Sequence, residues 1–159
     1  MSCRTFFTPG CDQYVLFTAE ALAHMYAHVQ RHRRSKEAGG ELFSVAPESD
    51  SLVIDVATGP HPSDRRGRHS FQPDVEVATA ERLAQFTRNR HAVGLWHTHP
   101  EPFPSPSSRD RKTTAEYFAG FSGERDRYLM VILGDRHDPP AMVVWGLDAV
   151  GWNRWIEAA

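Results

Sequence analysis

The sequence predicts an α/β layer fold, and three observations support it. Residues 92–97, 127–133 and 142–147 are short apolar runs with the length and aliphatic content of buried strands. Leu22, Met25, Tyr26 and Val29 recur at i, i+3, i+4 and i+7, which places them on one helical face. Strand-like and helix-like segments alternate along the chain, so sheet and helices pack as layers of one unit.

Taken in order, a first strand covers 12–17. Thr18 follows as a helix cap, because its side-chain oxygen can accept from a free amide of the first turn. The basic run from His28 to Lys36 suits the negative end of that helix, and Gly39-Gly40 lets the chain turn after it. Strands follow at 41–46 and 51–58, with Pro47-Glu48 and Asp50 as the turn. Residues 59–72 are rich in Gly, Pro, Arg and His and read as a long surface loop, a form that often carries function. A second helix spans 79–90, capped by Thr79, with Leu83 and Phe86 on one face. Four prolines between Pro100 and Pro106 exclude a helix or central strand there. The helical pattern resumes over 107–118, and a Gly-containing loop occupies 119–126. A Pro-rich turn joins the last two strands, and Trp152, Trp155 and Ile156 form a final helical turn.

With 159 residues, one domain spanning 1–159 is expected, its core at about 12–150. Eighteen basic against 20 acidic side chains give a net charge of −2, which offers no electrostatic case for a nucleic-acid partner. No apolar run approaches a membrane span and no secretory leader is visible, so no membrane partner is expected and the cytoplasm is the expected compartment. Cys3 and Cys11 match no metal motif. The basic residues Arg65, Arg66 and Arg68 with His69 read either as a solvated loop or as a surface for an acidic partner.

Chemistry concentrates at His97-Thr98-His99-Pro100, followed by Ser107-Ser108-Arg109-Asp110. Residues i and i+2 of a strand share a face, so His97 and His99 can converge on one cation with Thr98 turned away. Asp110 can join them from the first turn of the next helix. Two imidazoles, one carboxylate and an open fourth position make a catalytic zinc shell. Glu41, at the start of a strand after two glycines, is the expected general base. Ser107 is the expected donor to an oxyanion. Each residue also has a structural reading. The spacing from Ser107 to Asp110 is that of a helix capping box, and Glu41 alone suits a solvated strand end.

These residues resemble the signature of the JAMM family, also called MPN+ or Mov34/PAD1-type metalloproteases: a glutamate, then H-x-H, seven residues and S-x-x-D. Here it reads Glu41, His97-Thr98-His99, seven residues, Ser107 to Asp110, with the typical proline after the second histidine. The chain is similar to the compact prokaryotic JAB branch. The resemblance implies a JAB/MPN fold, a curved mixed β-sheet packed with helices and cytidine-deaminase-like in outline. It implies Zn2+ held by His97, His99 and Asp110. It implies an isopeptidase or peptidase that cleaves after the C-terminal glycine of a ubiquitin-like modifier, by deconjugation or precursor processing. Some relatives of this branch work beside E1- and E2-like proteins in antiphage systems. The alternatives are a sulfur-carrier or small-peptide metallopeptidase, and a non-catalytic MPN-like interaction module. Inactive members usually lose a ligand, and this chain keeps each one.

Overall fold

The computed structural model describes residues 2–159. In chain order its strands are β1 (Arg4–Phe7), β2 (Tyr14–Phe17), β3 (Gly39–Ser44), β4 (Ser51–Ile54), β5 (Val56–Ala57), β6 (Arg65–Gly67), β7 (Ser70–Gln72), β8 (His91–Thr98), β9 (Arg127–Leu133), β10 (Met142–Asp148) and β11 (Trp152–Glu157). The helices are α1 (Ala19–Tyr26), α2 (Val75–Thr87) and α3 (Ser108–Gly120). Nine strands form one mixed sheet in the order β4-β2-β1-β11-β10-β9-β8-β3-β5, and β6 with β7 form a separate hairpin. The β2–β4 and β8–β9 pairs are parallel and the rest antiparallel. β4 and β5 end opposite edges, yet only Asp55 separates them in sequence. That short crossing draws the edges together into a nearly closed sheet.

The expected strands at 92–97, 127–133 and 142–147 are present as β8, β9 and β10. Every residue of β9 is buried, as a central strand requires. Phe6, Phe17, Leu22, Met25, Trp96, Val131 and Trp155 share the main core. Thr18 caps α1, its hydroxyl accepting from the Ala21 amide at 3.3 Å. No helix among the described residues is long and apolar enough to cross a membrane.

Several local expectations are corrected. α1 stops at Tyr26, so the basic run lies in irregular chain beyond the helix. Gly39-Gly40 is not a turn but the start of β3. A Cβ on Gly40 would strike the Thr58 carbonyl, and one on Gly39 would come within 2.7 Å of the Trp96 carbonyl. The expected 51–58 strand divides at Asp55, because its halves pair with different strands. The expected loop at 59–72 contains the β6–β7 hairpin, with Arg65 opposite Gln72. α2 starts four residues before Thr79. Asp74 is its cap, accepting from the Glu76 and Val77 amides, while the Thr79 hydroxyl donates to the Val75 carbonyl. Leu83 and Phe86 are each 62% exposed, so that face is not a core face. The tail is strand β11, held between β1 and β10 with Trp155 buried. β1 carried no signal of its own, because its four residues are too few to show a period.

Two glycine substitutions separate close approach from simple flexibility. Gly40→Ala is expected to cost about 1–3 kcal/mol in urea unfolding, through overpacking against Thr58. Gly120→Ala, at the open end of α3 with nothing within 4 Å of the new Cβ, is expected to stabilise by about 0.4–1 kcal/mol. Equal effects at the two positions would refute the close-approach account.

Candidate metal centre

The pairing of β3 with β8 decides which side chains meet. Gly39 lies opposite His97 and Glu41 opposite Leu95, and residues opposed across a ladder share a face. One further step in the same register sets Glu37 opposite His99. The Thr98 amide, donating to the Ala38 carbonyl at 2.9 Å, carries the ladder to that point. Glu37, Glu41, Leu95, His97 and His99 therefore face one cleft of about 690 Å³. Ala38, Leu42, Trp96 and Thr98 point the other way and are buried. Trp96 is a core residue, as its strand phase requires, and its indole donates to the Thr58 carbonyl at 2.9 Å.

His97 is on the last inward-facing step of β8, and His99 lies just beyond its end. The His99 amide still pairs with the Leu133 carbonyl at 2.9 Å, so its backbone remains tied to β9. The proline run then leads to α3, where Ser107 and Asp110 form a capping box. The Ser107 hydroxyl accepts from the Asp110 amide at 3.1 Å, and the Asp110 carboxylate accepts from the Ser107 amide at 2.8 Å. That lock sets Asp110 Oδ2 3.2 Å from Nε2 of both His97 and His99, whose own Nε2 atoms are 3.0 Å apart. A tetrahedral zinc with bonds of about 2.0–2.1 Å needs donor atoms about 3.3 Å apart. The triangle of two imidazole nitrogens and one carboxylate oxygen fits that ion and leaves a fourth vertex toward the cleft.

His99 is oriented from behind. Glu101 Oε1 lies 3.0 Å from its Nδ1 and also accepts from the Ser105 amide at 3.0 Å. A proton held on Nδ1 turns the Nε2 lone pair toward the centre. Burial works against charge on His99, but hydrogen bonds to Asp110 and Glu101 outweigh it and push the imidazole up to about 9. Burial likewise opposes charge on Asp110, yet the two histidines hold its carboxyl well below the usual carboxylate range. A bound cation would take the place of the proton that these contacts retain on His99.

Glu37 and Glu41 face the cleft from one stretch of chain, and they differ in what they touch. Glu41, the base expected from sequence, is gripped by Arg82, whose Nε and Nη2 donate to its two oxygens at 2.8 and 3.2 Å. Burial pushes its carboxyl up, and Arg82 opposes that. Glu37 lies four residues earlier, about 13 Å back along an extended strand. Its carboxylate joins the histidines: one ligand atom each from Glu37, His97 and His99 lie within 4.8 Å of one another. Glu37 is 7% exposed, burial pushes its carboxyl up, and no side-chain hydrogen bond holds it among the described residues. The sequence reading singles out neither Glu37 nor Glu101. Glu37 shares the strand phase of Glu41, and only the register against β8 tells them apart. Glu101 follows His99 at i+2, a spacing that a sequence reading can find.

The basic residues near the cleft are partly structural. Arg66 Nε donates to the Glu37 carbonyl at 2.8 Å, and Arg68 Nη1 to the Arg33 carbonyl at 2.7 Å. These bonds fasten the hairpin to the segment that carries Glu37.

The sequence profile of the prokaryotic homologs of the JAB domain matches residues 18–148. A Pseudomonas aeruginosa protein named CD-NTase/cGAS isopeptidase is 35% identical over 98 residues, which cover 60% of this chain and 61% of that relative. An Escherichia coli protein of the same name is 28% identical over 111 residues, covering 67% of this chain and 70% of the relative. The solution structure of a Desulfitobacterium hafniense protein superposes with a TM-score of 0.63 at 16% identity, over 87% of each chain, and shares the fold.

The centre is expected to take about one zinc per chain, measured by elemental analysis. Replacing His97, His99 or Asp110 by Ala should abolish stable loading. Glu101→Ala should keep the site but weaken zinc affinity about 10–100-fold in a chelator competition, because the ring of His99 loses its orienting partner. Unchanged affinity would show that Glu101 does not position His99.

Proposed function

Because the chain belongs to the prokaryotic JAB-domain family, we propose that it is a zinc-dependent isopeptidase that cleaves the amide bond after the C-terminal glycine of a ubiquitin-like modifier. The observation that carries this reading is the buried, unpaired Glu37 carboxylate beside a zinc-sized triangle of donors. Metal-assisted hydrolysis of an amide uses an activating cation together with a proton carrier close to it.

In this reading His97, His99 and Asp110 hold the metal. A zinc ion bound there supplies Lewis acidity toward water and the scissile carbonyl. Glu37, rather than Glu41, accepts the proton released by the attacking water and passes it to the departing amine nitrogen. Burial suits Glu37 to that exchange, since a carboxyl raised from its ordinary value gives up a proton less readily and takes one more easily. Ser107 donates its hydroxyl hydrogen to the oxygen of the attacked carbonyl. Its oxygen is already occupied as acceptor of the Asp110 amide, which leaves the O–H to donate. Glu41 keeps Arg82 in place and does not exchange protons with substrate.

The names of the two relatives support a conjugated target of the CD-NTase type, and the family resemblance a place in an antiphage pathway. The modifier and its conjugated target are then the partners, E1- and E2-like proteins the enzymes that build the conjugate, and the cytoplasm the place where they meet.

Incubation with modifier fusions, read by mass spectrometry, tests the assignment. Cleavage should fall after the modifier's terminal glycine and stop on chelation. Glu37→Gln should retain zinc and lose about 10²–10⁴-fold in kcat. Glu41→Gln should lower stability and leave most of the rate. The reverse pattern would return the base to Glu41. Ser107→Ala should lose about 1 kcal/mol of stability as a lost cap, and also about 10²–10³-fold in kcat as a lost oxyanion donor. A stability loss with kcat within about twofold of wild type would leave Ser107 as a cap alone.

A further inference from the structure

Charge around the cleft is unevenly divided. Glu37, Glu41, Asp64, Glu101 and Asp110 line the metal side. A second groove of about 630 Å³ runs between the β6–β7 hairpin and α3, and its lining holds Arg65, Arg66 and Arg109 with no acidic side chain. Phe71, Arg109 and Tyr117 line both spaces, so the groove opens into the metal cleft.

The positive charge extends beyond the groove. Arg66 Nη2 donates to the Lys36 carbonyl at 3.3 Å and Arg68 Nη1 to the His32 carbonyl at 3.1 Å. The exposed residues Arg33, Arg34 and Lys36 are thereby held beside the hairpin, while Arg31 donates to the Asp135 and His137 carbonyls. No carboxylate lies within 4.0 Å of any basic side chain in 31–36 or 65–68 among the described residues. By contrast Arg4, Arg82 and Arg90 are each ion-paired. In a chain of net charge −2 this is a local excess of uncompensated cations. Such a surface raises the local concentration of anionic groups and steers their approach.

We propose that this groove binds an acidic stretch of the protein substrate and so selects conjugates with negative charge near the scissile bond. The inference rests on the hydrolytic reading above and names a substrate property which that reading leaves open. A polypeptide fits better than a nucleic acid on two counts. Phe71, Pro73, Val75 and Tyr117 share the groove walls with the arginines, which suits mixed apolar and acidic side chains. The groove also runs into a cleft whose lining includes Glu37 and Asp64 with no ion-paired cation among the described residues, which repels a phosphate backbone continuing along it.

Arg65 is exposed and touches no metal ligand, so it is the residue to change. The zinc-loaded chain is titrated by fluorescence anisotropy with a labelled peptide rich in Glu and Phe, with its Gln-for-Glu analogue, and with a single-stranded oligonucleotide of equal charge. The acidic peptide should bind roughly tenfold or more tightly than the Gln analogue, and more weakly as salt rises. Arg65→Glu should lose roughly tenfold in affinity, while Arg65→Lys should keep most of it, since the charge is what acts. Tighter binding of the oligonucleotide, equal binding of the Gln analogue, or wild-type affinity in R65E would each overturn the proposal. Failed peptide binding with intact fusion cleavage defeats this inference alone. Intact, Arg65-dependent peptide binding without fusion cleavage defeats the hydrolytic reading and leaves an acid-binding groove.

Discussion

The site depends on one buried hydrogen-bond hub. Thr98 is wholly buried, and its hydroxyl accepts from the Ala38 amide at 3.0 Å while donating to Gln30 Oε1 at 2.9 Å. The Gln30 amide in turn donates to the carbonyls of Ser35 and Arg68. A buried network with every member satisfied is rigid, because each broken bond would strand a polar group away from water. This network fixes β8 against the segment entering β3, and that segment against the hairpin. A slip of one residue in the β3–β8 register would turn Glu37 into the core and Ala38 toward the histidines. The residue between the two metal-facing histidines is therefore part of the site, although it faces away from it.

Asp110 joins local helix physics to metal geometry. As the third residue of α3 its carboxylate satisfies the Ser107 amide, one of the donors that every helix start leaves free. The same oxygen completes the donor triangle with His97 and His99. The helix start thus positions this donor without a further device, and a negative group at the positive end of α3 is stabilised there in its own right. The cap and the contact with the two histidines, which look like competing explanations of Ser107 and Asp110 in the sequence, are one arrangement.

What could be read from the sequence follows from how locally each feature is determined. β8, β9 and β10 are long enough to show burial in their composition, and the H-x-H and S-x-x-D spacings sit on single elements. Those spacings survive any error in topology. The tail was misread because Trp152, Trp155 and Ile156 fit a helical period, while their actual state is set by pairing with β1 and β10. Gly39-Gly40 was misread as a turn because glycine marks both flexible turns and close backbone approach, and only the position of Thr58 decides between them. The choice between Glu37 and Glu41 is the sharpest case. Both follow the strand alternation that faces the cleft, and the deciding information lies about 60 residues away in the strand they pair with.

The fate of Glu41 shows why the site holds one free carboxylate rather than two. A buried carboxylate without a partner is costly, and two on one strand face would repel each other as well as suffer desolvation. Arg82, reaching from α2 and stacked over the Tyr117 ring at 5.8 Å, neutralises Glu41 with a two-point grip. Beneath it Tyr128 is fully buried with no partner for its hydroxyl, and burial pushes that phenol well above its ordinary value, so it stays neutral. One end of the cleft floor is therefore electrostatically settled. At the other end Glu37 has two imidazoles in reach and Arg109 as a weaker charge nearby, with no guanidinium among the described residues hydrogen-bonded to its carboxylate, which leaves its charge dependent on what occupies the centre. The asymmetry between the two glutamates leaves the less restrained carboxylate beside the two histidines, where the proposed hydrolysis would use it.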